Sequence, residues 1–300
     1  MSKNHMTAVK PRQSASPNPA AGSSKTSHRA IKLKSSAIGP RQGYQQFKYY
    51  TSVAAQAILQ QQAEGGDFSV GIDVKDARTL GDVVIQSVEN ERLRPVVRLV
   101  SIAHVPGWQK GDHVINRVDL TGKKGPFSIT KHFRSYYDIY KDRKFLRDDQ
   151  KIKDVTIVTN ASFSGSDDFT SNMFEEERFG EHSILGSQFS IWIPRGQCDR
   201  REDLEFRLAK AVNEEMDELK PLIDTFFKQL RVIPEVRGSE ILKRGSTDIL
   251  SKMYGNENAS LHYLMLMEVV DDWAVDTVAR YLTSQCLKNI LDEIDHKIKL

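Results

Sequence analysis

The sequence predicts a mixed α/β domain followed by a largely helical second half. Three observations carry this. Residues 44–160 read as helix, three short β-rich runs, helix and strand, in that order. From Arg201 onward the apolar residues recur at helical spacing. A chain of 300 residues with 39% hydrophobic content has material for one large core or two small ones.

Each element has its own signature. In Tyr44–Ala63, Phe47, Tyr50, Ala54, Ile58 and Gln61 fall on one helical face, and Glu64-Gly65-Gly66-Asp67 ends the helix. Phe68–Val74 alternates apolar and polar residues, the period of a half-buried strand. Asp82–Val88 and Val96–His104 are two more strands, and the polar Glu89-Asn90-Glu91 between them predicts a hairpin. Val105–Gly125 reads as a long excursion, and Phe127–Leu146 as a helix with an aromatic stripe of Phe133, Tyr136, Tyr137 and Tyr140, read as core packing. Lys153–Asn160 is a compact β-branched run, hence a buried strand. Ser162–Glu177 is polar and predicts a loop; Gln188–Ile193 predicts one more strand before Pro194. Arg201–Val232 predicts helix interrupted near Pro221, and Ile241–Met253 and Leu261–Ile298 predict further helices, with Cys286 as a buried apolar residue of the last.

Charge divides the chain. Residues 1–42 hold Lys3, Lys10, Lys25, Lys32, Lys34, Arg12, Arg29 and Arg41 and no acidic residue, so the whole-chain charge of +3 becomes −5 over residues 43–300. With its Ser, Pro and Ala content, this +8 tail cannot offset the entropy of folding and predicts disorder. The domain plan is therefore a basic tail (1–42), an α/β domain (43–195) and a helical extension packed on it (196–300). No apolar run approaches the roughly 20 residues of a membrane span, and the amino end lacks the apolar stretch of a secretory signal. Cys198 and Cys286 are the only cysteines, too few for a disulfide framework, which points to a reducing intracellular compartment; the basic tail favours nucleus over cytoplasm.

Several catalytic patterns are excluded. Gly65-Gly66 and Gly122-Lys123-Lys124-Gly125 are too short for a phosphate-cradling loop. Ser164-Gly165-Ser166 lacks the strand–turn–helix setting of a nucleophile elbow, and none of the eight histidines forms H-E-x-x-H.

The predicted αβββαβ order, together with local motifs, resembles the PD-(D/E)XK nuclease-like amino-terminal module of arthropod ankyrin-repeat and NACHT-containing proteins. Gly43-Tyr44-Gln45 is similar to that module's Gly-aromatic-Gln helix start, Leu80–Ile85 to its FDDVVF-like strand, and Arg98–His104 to its RLLQAKH strand. Phe127–Ile139 resembles its FSLQKYFISYRKI helix and Thr159–Phe163 its strand ending in TN. A looser likeness continues around Phe226–Leu230, so the resemblance spans most of residues 43–255; the ankyrin and NACHT parts are missing.

The resemblance implies a restriction-endonuclease-like αβββαβ core and a Mg²⁺-dependent phosphodiesterase site. In that site carboxylates hold the ion, and a lysine stabilises charge or orients the attacking water. Carried over by position, Asp82 is the first carboxylate, Gly81 stands where a second Asp is common, Ser101 replaces a Gln or Glu ligand, and Ala103 replaces the lysine. One carboxylate holds Mg²⁺ poorly. Lys131 or Lys48 could replace the lost amine, His104 could contact phosphate, and Asp73 and Glu89 could add oxygen ligands.

The expected function is thus a catalytically inactive nuclease-like binding or adaptor module without a cofactor. The alternative is a Mg²⁺-dependent DNA or RNA endonuclease with a rearranged site. A protein partner is expected first, with Trp108 as a candidate anchor. Nucleic acid is the second candidate partner, through Lys123, Lys124, Lys131 and Arg134, although an acidic folded region disfavours a strongly electrostatic groove.

Overall fold

The computed structural model describes residues 40–89, 94–106, 113–142, 145–163, 168–177, 184–196, 201–276 and 281–300. The basic tail up to residue 39, the Trp108 loop, Ser164–Ser166 and Cys198 lie outside them. Helix α1 (Pro40–Glu64) takes up the last three residues of the predicted tail. Then come β1 (Phe68–Ile72), a 3₁₀ turn at Lys75–Leu80, β2 (Val83–Glu89) and β3 (Arg94–Ala103). The excursion contains β4 (Val114–Ile115) and α2 (Arg117–Thr121); α3 (Ile129–Asp142) and β5 (Lys151–Thr159) follow.

Residues predicted as loop carry more order than expected. Ser162–Phe163 forms β6, which pairs in parallel with β4, and is followed by α4 (Asp168–Met173) and β7 (Phe174–Glu177). Buried Phe169, Met173 and Phe174 hold this segment down, an apolar signal diluted by polar neighbours. Strand β8 spans Ile191–Pro194. The Arg201–Val232 run is α5 (Arg201–Val212), α6 (Met216–Gln229) and strand β9 (Leu230–Ile233). The helix passes through Pro221, and the break lies at Asn213, whose φ of 57° is left-handed. Helices α7 (Gly238–Tyr254), α8 (Ala259–Val275) and α9 (Ser284–Lys299) complete the chain, with β10 (Leu282–Thr283) before α9. Cys286 is exposed in the first turn of α9, contrary to the buried position expected.

The main sheet has eight strands in the order β10-β1-β2-β3-β5-β9-β8-β7. The β1–β2–β3 meander is antiparallel, including the predicted hairpin. β3, β5 and β9 run parallel, and β8 and β7 return antiparallel. The last hundred residues therefore supply two strands to the sheet as well as helices.

Side chains alternate between two cores. Val83, Ile85, Val100, Val158 and Ile233 pack beneath α1, α7, α8 and α9. Val84, Val97, Leu99, Val155, Ile157 and Val232 pack beneath α3, α5 and α6. The aromatic stripe divides: Phe133 and Tyr136 are buried, Tyr137 is half-buried and Tyr140 is exposed. A buried polar joint fixes α1 against α7: Gln56 donates to the Leu185 carbonyl at 3.0 Å and accepts from Ser246 at 2.7 Å.

Candidate functional site

Two places hold convergent polar groups, one on each side of the sheet. The first contains the positions singled out in the sequence. β2 and β3 bring Asp82 beside Ser101, and α3 lays His132 over both. The Asp82 Oδ2 accepts the Ile102 backbone N–H at 2.6 Å and a hydrogen bond from Ser101. His132 Nε2 lies 3.2 Å from the Ser101 hydroxyl, with His132 fully buried. Ser128 orients the start of α3: its hydroxyl accepts the Lys131 N–H at 3.1 Å and donates to the Gly122 carbonyl.

Burial sets the electrostatics here. It pushes the Asp82 carboxyl up to about 6, against the Ile102 N–H and the nearby Lys131 charge; the Asp73 charge adds to the rise. Burial, helped by Lys131, pulls the His132 imidazole down to about 3. Asp73 is held close by backbone: its N–H donates to the Asp82 carbonyl at 3.1 Å and to the Tyr50 hydroxyl at 3.2 Å, and that hydroxyl donates to the same carbonyl at 2.6 Å.

Of the two predicted lysines, Lys131 is the one whose charge acts on Asp82. Lys48 forms an ion pair with Asp271 of α8 instead; burial opposes its charge, but Asp271 prevails and holds its pKa above the ordinary value. Ala103 is 2% exposed and packs in the α3 core. Gly81 is constrained: a Cβ there would collide with the Val74 carbonyl and stand 3.1 Å from the Ala77 Cβ. Lys123, Lys124 and Arg134 are exposed, before and on α3.

The donor set does not fit Mg²⁺. One carboxylate already bonded to a backbone N–H, a hydroxyl and a buried imidazole lack the anionic oxygens that ion needs. Among the described residues no group of three or more His, Cys, Asp or Glu side chains converges as a metal site. The sequence groups His132 with Lys131 as a basic cluster; the structure turns it inward, on one face with Ile129, Phe133, Tyr136 and Ile139.

The second place is a cleft of about 580 Å³ at the carboxyl ends of β3 and β5. Parallel strands leave such crevices beyond their carboxyl ends, where the connecting segments diverge. His104, Val105 and Asn160 form its floor, α1 contributes Lys48 and Tyr49, and α7 contributes Gly238 and Lys243. Asn160 is a clamp: its Oδ1 accepts the Val105 N–H at 2.8 Å and its Nδ2 donates to the Val105 carbonyl at 3.0 Å. No local motif announces this cleft, because α1, α7 and α8 are far apart in sequence.

No protein-family profile matches the chain, and no curated protein matches it. Similar solved structures include the Acinetobacter baumannii Cap4 SAVED/CARF-domain containing receptor with the cyclic trinucleotide 2'3'3'-cAAA, at a TM-score of 0.44 and 9% identity over 87% of this chain. The same receptor without a named ligand gives 0.43 and 8% identity over 87%, and with 3'3'3'-cAAA it gives 0.42 and 9% over 86%. The chain spans about half the length of these receptors, covering 47%, 48% and 46% of them respectively. A likeness this distant assigns neither ligand nor chemistry.

Proposed function

We propose that the chain is a binding or adaptor module on a nuclease-like αβββαβ scaffold that no longer cleaves phosphodiesters. The observation that carries this is Ala103, packed in the core at the position where the resemblance calls for the catalytic lysine. Asp82 supports it: its carboxylate serves the β2–β3 ladder by accepting the Ile102 N–H. Binding proceeds first through protein contacts. Exposed Lys123, Lys124 and Arg134 add a weaker affinity for nucleic acid that falls steeply with salt. The test is incubation of homogeneous protein with DNA and RNA in Mg²⁺ or Mn²⁺, in parallel with partner capture from native cells with and without nuclease treatment. Intact nucleic acid and nuclease-resistant partners are expected. Cleavage abolished both by chelator and by Asp82→Ala would overturn the proposal.

One observation favours the second reading, a rearranged endonuclease. The charges of Asp73 and Lys131 both act on Asp82, and a carboxyl shifted to about 6 is the kind of perturbed group that active sites contain. The same cleavage assay decides between the two, because this reading requires Lys131→Ala to abolish turnover.

A further inference from the structure

Buried polar atoms in folded proteins almost always have partners, so two orphans on one wall need an explanation. Tyr49 is 2% exposed and its hydroxyl has no partner among the described residues; the same holds for the buried Nδ1 of His104. The two rings stand 5.0 Å apart, and both line the 580 Å³ cleft beyond β3 and β5.

The rest of that cleft is donor-rich. α7 is a 17-residue helix whose preceding residue, Arg237, supplies no side-chain cap. Its first residues, Gly238, Ser239 and Glu240, face the cleft. A helix start leaves amides without intrahelical partners and carries the positive end of the dipole. Lys243, one turn on, adds a full charge, while the Lys48 charge is held by Asp271. Glu240 is the opposing acid on the lining. Leu264 and Met267 of α8, together with exposed Tyr44, give the remaining wall an apolar and aromatic character.

We propose that this cleft binds a small organic phosphate. The phosphate oxygens accept from the Tyr49 hydroxyl, His104 Nδ1–H, Lys243 and the α7 amides that follow Gly238, whose own N–H donates to the Val236 carbonyl at 2.9 Å. Helix starts favour anions, and three oxygens suit donors arriving from several elements. The volume lies within the range of small-molecule sites and exceeds what a bare phosphate fills. An apolar or aromatic body therefore rests on Leu264, Met267 and Tyr44. The cleft lies on the α1 side of the sheet, whereas Ser101 and Ala103 face α3, so this inference does not depend on the loss of cleavage.

Calorimetric titration of the full chain with phenyl phosphate and with inorganic phosphate tests it. Phenyl phosphate is expected to bind saturably and more tightly than inorganic phosphate. Tyr49→Phe removes one hydroxyl while keeping the ring, and Lys243→Gln removes one charge; each is expected to weaken binding about tenfold. Asp82→Asn is expected to leave binding unchanged. Near saturation the melting temperature is expected to rise by about 5 °C. The proposal is overturned by the absence of saturable binding at millimolar phenyl phosphate. It is equally overturned if Tyr49→Phe folds but binds as tightly as the parent, since the hydroxyl then has water as its partner. Displacement of phenyl phosphate by an oligonucleotide with higher affinity would replace the small ligand with a nucleic-acid backbone and also overturn it.

Discussion

The His132 imidazole lies 3.2 Å from the Ser101 hydroxyl, and Ser101 in turn bonds the Asp82 carboxylate. A serine thus links a half-buried acid to a fully buried base. Burial shifts the two titrations in opposite directions, and the Ser101 bond tempers the rise at Asp82. The folded state favours protonated Asp82, with a pKa near 6, and neutral His132, with a pKa near 3.

For Asp82 the folded-state pKa lies above the unfolded value of 3.8. Its contribution to stability is full below pH about 4 and is lost as pH rises to about 6. Asp82→Asn removes this dependence while retaining an oxygen for the Ile102 N–H. Relative to the parent, the variant is expected to gain about 2–3 kcal/mol on going from pH 4 to pH 7.5. Urea unfolding at the two pH values measures the difference, and an offset that does not change with pH would show that Asp82 ionises freely.

His132 has the opposite sign. Its folded-state pKa lies below the unfolded 6.5, so its contribution is full above pH 6.5 and is lost as pH falls towards 3. His132→Gln keeps an amide near Ser101 and removes the titration. The parent's advantage over this variant is expected to shrink by about 2–4 kcal/mol between pH 7.5 and pH 4. Between pH 4 and 6 the two residues offset each other in the parent, so each single variant has a steeper profile than the parent in that window. Denaturant unfolding of the parent and both variants at matched pH checks this.

The first half of the fold was legible because its elements carry local patterns. Alternation in Phe68–Ile72, β-branched runs in β3 and β5, and helical spacing in α1 and α3 mark them, while β3 is buried on both faces between the two cores. The second half was less so. Leu230–Ile233 continues an apolar run from α6 without a turn residue, yet it is a strand, because the space beside β5 is open to it. Pro221 was misleading as a helix breaker: only the amide of its own position is missing, and the turn comes at Asn213. Asp82, Ser101 and Lys131 could be placed from motifs, whereas the cleft with Tyr49 and Lys243 exists only once α7 and α8 fold back on α1.

Cys286 gives a direct chemical check of α9. Its amide is capped by the Thr283 hydroxyl at 3.2 Å and its side chain is exposed. Native protein is expected to react at Cys286 with a maleimide at a rate close to that of the unfolded chain, as peptide mapping would show. Protection until denaturant is added would contradict this placement.

Arg98 and Asp154 face each other across the parallel β3–β5 ladder, 3.6 Å apart and almost fully buried. Burial raises the Asp154 pKa despite the Arg98 charge. Arg98→Leu removes the largest charge acting on Asp154, leaving the lesser effects of Arg231, Lys153 and the Thr156 hydroxyl, and is expected to destabilise by about 3 kcal/mol. Arg98→Leu combined with Asp154→Leu is expected to recover most of that loss. Equilibrium unfolding of both variants measures the recovery.

Two glycines make opposite predictions for the same substitution. Gly43 lies in α1 with nothing within 4 Å of a would-be Cβ, so Gly43→Ala is expected to stabilise by about 0.5–1 kcal/mol through helix propensity. At Gly81 the added carbon enters the Val74 carbonyl, and that backbone is fixed by the Val74 N–H to Gly81 carbonyl bond of 2.8 Å. Gly81→Ala is expected to destabilise by about 2–4 kcal/mol. Gly81→Asp brings the same clash with a bulkier, charged side chain and is expected to cost more than Gly81→Ala. Thermal unfolding of Gly43→Ala, Gly81→Ala and Gly81→Asp is expected to rank them in that order. A Gly81→Asp variant as stable as the parent would mean that the loop at Val74 yields.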